Sequence, residues 1–170
     1  MKLLIDGYNL LQAAGQFGSA AGAGTLESAR LALLDFLVAT LSPADARRTL
    51  VVFDAAAAPP GLPAVIEHEG ILVQFSRRKG TADDLIEELI ETVEDPRHLT
   101  VVSSDHRVQR AARRRRATPV DSESWLREIR SRKAGSSPSA ADAKRATIVG
   151  NPFPDDYLQQ IEQELNDQQG

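Results

Sequence analysis

The segment LIDGYNL, residues 4–10, decides the fold. Its apolar residues lead into Asp6, and the Asp-Gly pair that follows is a turn signal, so the segment predicts a strand that ends at an acidic side chain. The same arrangement, a strand-forming run closed by an aspartate, occurs at Asp6, Asp54 and Asp105. Because all strands of a parallel sheet end along one edge, we expect these aspartates to converge on a single cleft.

Strand-like and helical segments alternate along the first 133 residues, which is typical of parallel βαβ units with right-handed crossovers. The apolar runs predict strands near residues 2–5, 49–53, 71–75, 99–104 and 118–120. Apolar residues at helical spacing predict helices near residues 25–42, 81–93, 106–116 and 122–132. We therefore predict an α/β domain whose parallel sheet of about five strands is flanked by helices. If the strand order is 3-2-1-4-5, the first and fourth strands are neighbours and leave a crevice between them.

The remaining segments predict a loop, a linker and a tail. Residues 12–24 are rich in Ala, Gly, Ser and Gln without a firm period and predict a mobile loop. After the domain at 1–133, the Ser- and Ala-rich residues 134–150 predict a flexible linker. Residues 151–170 form an acidic tail that carries five acidic residues and no Lys or Arg, with a C-terminal helix predicted near 154–165.

The composition limits the cellular locations and the kinds of catalytic or metal site that we expect. The chain has no cysteine, which excludes disulfides, thiolate metal sites and cysteine nucleophiles. It has no stretch near the roughly 20 apolar residues of a membrane span. The apolar run before Asp6 is too short for a signal peptide. We expect a cytoplasmic protein with no membrane partner.

Carboxylates from separate parts of the chain form a candidate metal site. Asp6 ends the first strand, Asp105 follows the fourth, and Asp83 opens the helix after the third. Crowded carboxylates repel one another, and a divalent cation, Mg²⁺ or Mn²⁺, would offset that repulsion. Asn9 could orient a metal-bound water or a phosphate oxygen. Local alternatives remain open: a simple turn at Asp6-Gly7 with Asn9 as a cap, and helix capping at Asp83.

Three further aspartates are weaker candidates for residues of the metal site. Asp54 lies further out, on the neighbouring strand, and is expected to support the metal ligands or the fold. Asp84 is either a second supporting acid or the partner of Thr81 in a capping box. Asp121 could be a ligand, but it stands where a cap for the helix at 122–132 belongs, and we favour the cap.

Basic residues cluster near the acidic positions and indicate a polyanionic substrate. The candidate phosphate-binding residues are Arg77, Arg78, Lys79, Arg107 and Arg110. The run Arg113–Arg116 cannot all face one direction, so part of it is expected to be solvated surface. Aromatic residues make up only 5% of the chain, which argues for contacts to the backbone rather than a broad base-stacking platform.

Other catalytic classes lack their signatures. The sequence contains no phosphate-loop lysine motif, no G-x-G-x-x-G fingerprint and no G-x-S-x-G elbow. The histidines, at 68, 98 and 106, have no zinc-ligand spacing. Only His106 lies next to the expected cleft, so metal-free cleavage by a histidine pair stays open but is not favoured.

Together, LIDGYNLL (4–11), VVFD (51–54), TADD (81–84) and SSD (103–105) resemble the YacP-like branch of the NYN-domain ribonucleases, within the PIN-like nuclease superfamily. The resemblance covers about residues 1–132, and the helix at 154–165 resembles the short C-terminal helix of such proteins. It implies a three-layer PIN-like fold and Mg²⁺- or Mn²⁺-dependent cleavage of RNA. By that likeness, Asp6, Asp83 and Asp105 match the acidic metal positions, with Asn9 in support.

The resemblance also suggests the substrate, because some similar proteins are endoribonucleases that act on messenger RNA at the ribosome. We therefore expect a metal-dependent endoribonuclease whose partner is RNA, single-stranded mRNA with a possible role for the ribosome. The main alternative is a PIN-like module that binds RNA or a ribosome-associated partner without cutting. A structure-specific DNA nuclease and a flavodoxin-like regulatory domain are further alternatives, but the first would need an added DNA-binding element and the second leaves the basic segments unexplained.

Overall fold

A single mixed sheet forms the centre of the fold in the computed structural model, which describes residues 1–15, 26–54, 65–76 and 80–135. The strands of these residues are β1 (Leu3–Asp6), β2 (Thr49–Phe53), β3 (Val65–His68), β4 (Ile71–Phe75), β5 (Thr100–Val102) and β6 (Thr118–Val120). The sheet has the order β3-β4-β2-β1-β5-β6, and all pairs are parallel except β3 with β4. The α/β fold class is as predicted.

Helices cover both faces of the sheet. They are α1 (Gly7–Ala13), α2 (Leu26–Thr40), α3 (Pro43–Ala46), α4 (Ala82–Thr92), α5 (His106–Arg114) and α6 (Ser122–Gly135), and a 3-10 helix spans Pro96–His98. Side chains alternate between the faces of a strand, so Leu3 and Ile5 of β1 pack with α1, α2 and α6, while Leu4 packs with α4 and α5. β1 and β2 are buried along their whole length, as expected for strands covered on both sides.

The predicted strand order needs one correction, because the sheet has six strands rather than five. The five predicted strands keep their order, and β3 is added at the edge, antiparallel to β4. Glu69 and Gly70 connect the two strands and both have positive φ values, 46° and 90°, as a tight two-residue hairpin turn requires. The segment Val65–His68 has too few apolar residues to predict a strand. It is held as a strand by its pairing with β4.

Other boundaries also differ from the predictions. α1 was not predicted as a helix, and it includes Gln12 and Ala13, which were expected to open a loop. α3 was also missed. α6 continues to Gly135, past the predicted end at 132, while the remainder of the predicted linker and the acidic tail lie outside the described residues. No described helix combines the length and apolar character needed to cross a bilayer.

Gly7 allows α1 to start directly against the sheet. A Cβ atom added there would lie 2.3 Å from Cε1 of Phe53, which is fully buried and packs edge-on against Tyr8. No side chain larger than hydrogen fits this contact while the ring keeps its place. The glycine of the Asp-Gly pair is therefore required by packing at the first turn of the helix that carries Asn9.

We predict that Gly7→Ala lowers the free energy of unfolding by about 1–3 kcal/mol, the range for overpacking a tight core. Urea denaturation followed by circular dichroism measures the change. The same substitution in a Phe53→Leu background should cost less, because the shorter side chain leaves room for the added methyl group. An equal cost in both backgrounds would show that the Phe53 contact is not the cause.

Candidate active site

Asp6 is the most buried acidic side chain at the carboxyl end of the sheet, with an exposed fraction of 5%. It ends β1 and caps α1, so its position is fixed by both elements. Its Oδ1 accepts a hydrogen bond of 3.1 Å from the backbone N–H of Asn9, and its Oδ2 accepts one of 3.1 Å from the hydroxyl of Ser103. These two donors orient the carboxylate between β1 and the segment after β5.

Burial changes the acid–base behaviour of Asp6. Desolvation raises its pKa from the ordinary 3.8 to about 6, against the lowering effect of the hydrogen bonds from Asn9 and Ser103. The negative charges of Asp83 and Asp105 raise the pKa further. Asp6, Asp83 and Asp105, the three candidate metal ligands, thus lie close enough to interact electrostatically.

Asp83 and Asp105 are held in different ways. Asp83 lies in the first turn of α4, is half-buried, and accepts no hydrogen bond from any described residue. Burial and then the charge of Asp105 raise the pKa of Asp83, while Arg107 lowers it. Asp105 caps α5 through Oδ1, which accepts hydrogen bonds from the backbone N–H groups of Arg107 at 2.6 Å and Val108 at 3.3 Å. The capping role therefore occupies one oxygen of Asp105.

Asn9 ties the strand ends together. Its Oδ1 accepts hydrogen bonds from the backbone N–H of Ser104 at 3.0 Å and from the hydroxyl of Ser122 at 3.3 Å. Ser104 follows β5 and Ser122 opens α6, so one amide oxygen joins three elements at this edge. The sequence predicted Asn9 as a polar group that orients water or phosphate, and the structure adds this connecting role.

The supporting acids separate into distinct roles. Asp84 forms the capping box with Thr81 and accepts a 2.7 Å hydrogen bond from Arg107, and these partners lower its pKa. Asp121 accepts a 3.0 Å bond from the backbone N–H of Ser124, which confirms the predicted cap, and a 2.6 Å bond from Ser104. Asp54 follows β2, is half-buried, and its charge acts on Tyr8. Its predicted supporting role stays a prediction.

The predicted phosphate-binding residues fall in different environments. Arg107 is ion-paired with Asp84 and Glu87 of α4, so part of its charge is neutralised within the protein. Arg110 is exposed and has no ion pair among the described residues. Arg77, Arg78 and Lys79 lie outside the described residues.

Sequence reasoning missed a buried arginine close to the site. Arg30 of α2 has an exposed fraction of 6%, donates a 2.9 Å hydrogen bond to the hydroxyl of Tyr8, and stacks over the ring of Phe75. It therefore fixes the residue that stands between Gly7 and Asn9. The available signal was its position, because Arg30 falls within the apolar stripe of α2 beside Leu33 and Leu37.

The carboxylates at the end of the sheet have the donor chemistry of a divalent-cation site. Among the described residues, no three or more His, Asp or Glu side chains are arranged to hold a metal ion as they stand. The donor chemistry nevertheless fits, because burial, and then the charges of two neighbouring carboxylates, raise the pKa of Asp6, and a nearby positive charge would stabilise its ionised form. Hard oxygen donors of this kind suit Mg²⁺ or Mn²⁺. Asp6, Asp83 and Asp105 are the residues that would hold it.

The family model and the solved structures that are similar to this chain both concern YacP proteins. The family model of the YacP-like NYN domain matches residues 3–167. The fold is similar to that of a point mutant of Rae1 (YacP) from Bacillus subtilis, with 26% identity, a TM-score of 0.59, and coverage of 78% of this chain and 76% of that one. It is also similar to Rae1 (YacP) itself, with 24% identity, a TM-score of 0.61, and coverage of 99% and 92%. No curated protein sequence matches the chain significantly.

The raised pKa of Asp6 predicts a pH-dependent effect of Asp6→Asn on stability in metal-free buffer. Between pH 3.8 and about 6 the folded protein holds a proton on Asp6 that the unfolded chain has released, so this contribution to stability declines as pH rises and is lost above that window. Asp6→Asn has no such loss. The free energy of unfolding of the variant, minus that of wild type, should therefore rise by up to about 3 kcal/mol from pH 4 to pH 7.5. Urea denaturation with chelator present measures this difference.

Asp121→Asn is the matched control, because hydrogen bonds from Ser104 and Ser124 lower the pKa of Asp121. The effect of pH is then the opposite of that for Asp6. Ionised Asp121 stabilises the wild type above the ordinary pKa and this stabilisation is lost as pH falls, so Asp121→Asn should be less stable than wild type at pH 7.5. If both variants shift in the same direction with pH, burial of the Asp6 charge is not the cause.

Proposed function

Because the chain belongs to the YacP-like NYN domain family, we propose that it is a divalent-metal-dependent endoribonuclease that hydrolyses RNA phosphodiester bonds. Membership of this family makes it a nuclease-type enzyme related to RNA. The dependence on Mg²⁺ or Mn²⁺ and the identity of the catalytic residues are parts of the proposal. The observation that carries it is the convergence of three carboxylates: Asp6 is buried at the end of β1, and the charges of Asp83 and Asp105 act on it.

The proposed reaction is attack of water on phosphorus, in line with the leaving 3′ oxygen. The products carry a 5′-phosphate and a 3′-hydroxyl. A divalent cation, when bound, supplies the Lewis acidity that activates water at neutral pH and offsets charge on the phosphate. The protein contributes the carboxylates that would hold the cation at the carboxyl end of the sheet.

Each residue has a part that follows from its contacts. Asp6 is kept in one orientation by Asn9 and Ser103, so it is a preorganised ligand. Asp83, with no hydrogen bond from the described residues, keeps both oxygens for a cation or a water molecule. Asp105 keeps Oδ2, because its capping bonds both use Oδ1. Asn9 holds the ends of β1 and β5 and the start of α6 in register.

The substrate is proposed to be single-stranded messenger RNA, with cleavage at the ribosome in the cytoplasm. This part rests on the family resemblance. Arg110 is exposed and is proposed to contact phosphate, together with Arg77, Arg78 and Lys79. Arg107 is proposed to act mainly by joining α4, which carries Asp83, to α5, which Asp105 caps.

We predict that Asp6→Asn, Asp83→Asn and Asp105→Asn each reduce RNA cleavage by more than about 100-fold, since loss of groups that only support metal ligands already costs 10- to 100-fold. The assay uses end-labelled single-stranded RNA and DNA with Mn²⁺, Mg²⁺ or chelator. Asn is as good an N-cap as Asp, so α5 should stay intact in Asp105→Asn. Asp35→Asn is the control, because Asp35 is exposed and pairs with His68.

Metal-dependent RNA cleavage that is lost in the three variants and kept in Asp35→Asn would support the proposal. Cleavage that persists in chelator or in Asp6→Asn would contradict it. RNA binding without any cleavage, on ribosomes programmed with messenger RNA as well as in isolation, would instead support the non-cleaving module. Cleavage that requires those ribosomes would support the proposed site of action.

Metal binding can be measured separately from cleavage. We expect Mn²⁺ to raise the melting temperature of the wild type, because a ligand at 100 times its Kd adds about 2.7 kcal/mol to the free energy of unfolding. Asp6→Asn should show little of this shift and Asp35→Asn should show all of it. Equal shifts in the wild type and Asp6→Asn would place the cation elsewhere.

A further inference from the structure

A second charged site lies at the end of the sheet opposite to Asp6. An open hollow of about 480 Å³ is lined by Arg97, Arg114, Arg115 and Arg116, together with the acids Glu94 and Asp95. Arg97 precedes β5 and the other three arginines close and follow α5, whereas the three aspartates of the candidate active site lie near the carboxyl ends of the strands and the start of α5. The hollow is therefore separate from the candidate active site.

Two of the four arginines, Arg114 and Arg115, contact residues at the carboxyl-terminal half of α4. Arg115 donates hydrogen bonds to the carbonyl groups of Ile90 at 3.4 Å and Val93 at 3.3 Å, at the carboxyl end of α4, and pairs with Glu91 at 3.5 Å. Arg114 lies 3.9 and 4.0 Å from the carboxylates of Glu87 and Glu91. These contacts join the ends of α4 and α5, so both guanidinium groups are partly neutralised.

The other two arginines of the lining are Arg97 and Arg116. Both are exposed, and neither has an ion pair in the described part of the chain. Of the two acids in the lining, Asp95 lies 2.6 Å from Nδ1 of His98, and Glu94 has no ion pair among the described residues. With four arginines against these two acids, the lining of the hollow has more positive than negative side chains, which attracts anions.

The backbone at Arg116 has a conformation that suits glycine better than arginine. Its φ is 63°, in the left-handed region that favours glycine. The N–H of Arg116 bonds to the carbonyl of Arg113 at 3.0 Å and that of Ala117 to the carbonyl of Ala112 at 2.9 Å, the pattern that ends many helices with a glycine. Here the position that suits glycine holds an arginine on the wall of the hollow.

We propose that the hollow binds backbone phosphates of the RNA strand, at a distance from the bond that is cut. Arginine presents a planar pair of donors that matches phosphate oxygens. α5 connects the two sites: at 1.5 Å per residue, Asp105 and Arg116 are about 16 Å apart along its axis. Arg110 and Arg113 are exposed between them. The inference rests on the proposed function only in taking RNA as the ligand.

The test uses Arg116→Gly, which removes the charge and relieves the strained backbone. Its urea midpoint should rise, which excludes a folding defect, while its affinity for RNA falls. Binding of an end-labelled single-stranded RNA dodecamer is measured by fluorescence anisotropy in chelator at several salt concentrations. The slope of log K against log salt should become less steep by about 0.7 for each lost phosphate contact, hence by about 1.4 in Arg97→Ser/Arg116→Gly.

Arg127→Ala is the matched control, because Arg127 is an exposed residue of α6 on the other face of the sheet. It changes the net charge equally and should leave the slope as in wild type. The proposal is overturned if Arg116→Gly and Arg97→Ser both bind RNA with the wild-type slope, or if Arg127→Ala has the same effect as they do. It is also overturned if they weaken binding of poly-glutamate and leave RNA binding unchanged, which would indicate an acidic protein partner.

The outcome does not depend on cleavage. If the wild type cuts no RNA but Arg116→Gly reduces the salt slope, the hollow binds RNA and the proposed nuclease activity fails. If the wild type cuts RNA and the arginine variants bind it normally, the activity stands and the hollow has no part in RNA binding.

Discussion

The rest of the site depends on the burial of one carboxylate, that of Asp6, at the end of the central strand. Because β1 has strands on both sides and helices on both faces, its last side chain is removed from water whatever its chemistry. Two hydrogen bonds orient the carboxylate but do not offset the loss of solvation, so its pKa stays raised. A charge kept at this cost is expected where a cation or a reaction uses it.

The second constraint is the ion-paired contact between α4 and α5. Arg107 pairs with Asp84 and Glu87 near the amino ends of the two helices, and Arg115 closes the carboxyl end of α4. This contact fixes the spacing between Asp83 and Asp105, which come from separate segments of the chain. Some arginines of the basic run therefore hold the two helices together, and others, without ion pairs among the described residues, are the ones that we propose contact RNA.

The structure shows which predictions could be made from sequence. The buried strands were predictable because β1 and β2 are continuous apolar runs, and the caps at Thr81 and Asp121 because their signals lie within a few residues. β3 was not, because an edge strand owes its stability to the strand it pairs with. The partners of Asn9 were not, because Ser104 and Ser122 are 95 and 113 residues away.

The sequence by itself determined the α/β class, the positions of the five principal strands and the acidic residues that follow them, because apolar periodicity and strand-end position are local patterns. Only the tertiary structure decided what each charge does. Arg107, predicted to bind RNA, pairs with α4, and Arg30, not predicted at all, is buried against Tyr8. The physical reason is that a charged group's role depends on its distance from other charges and from water, and both are set by packing between remote segments.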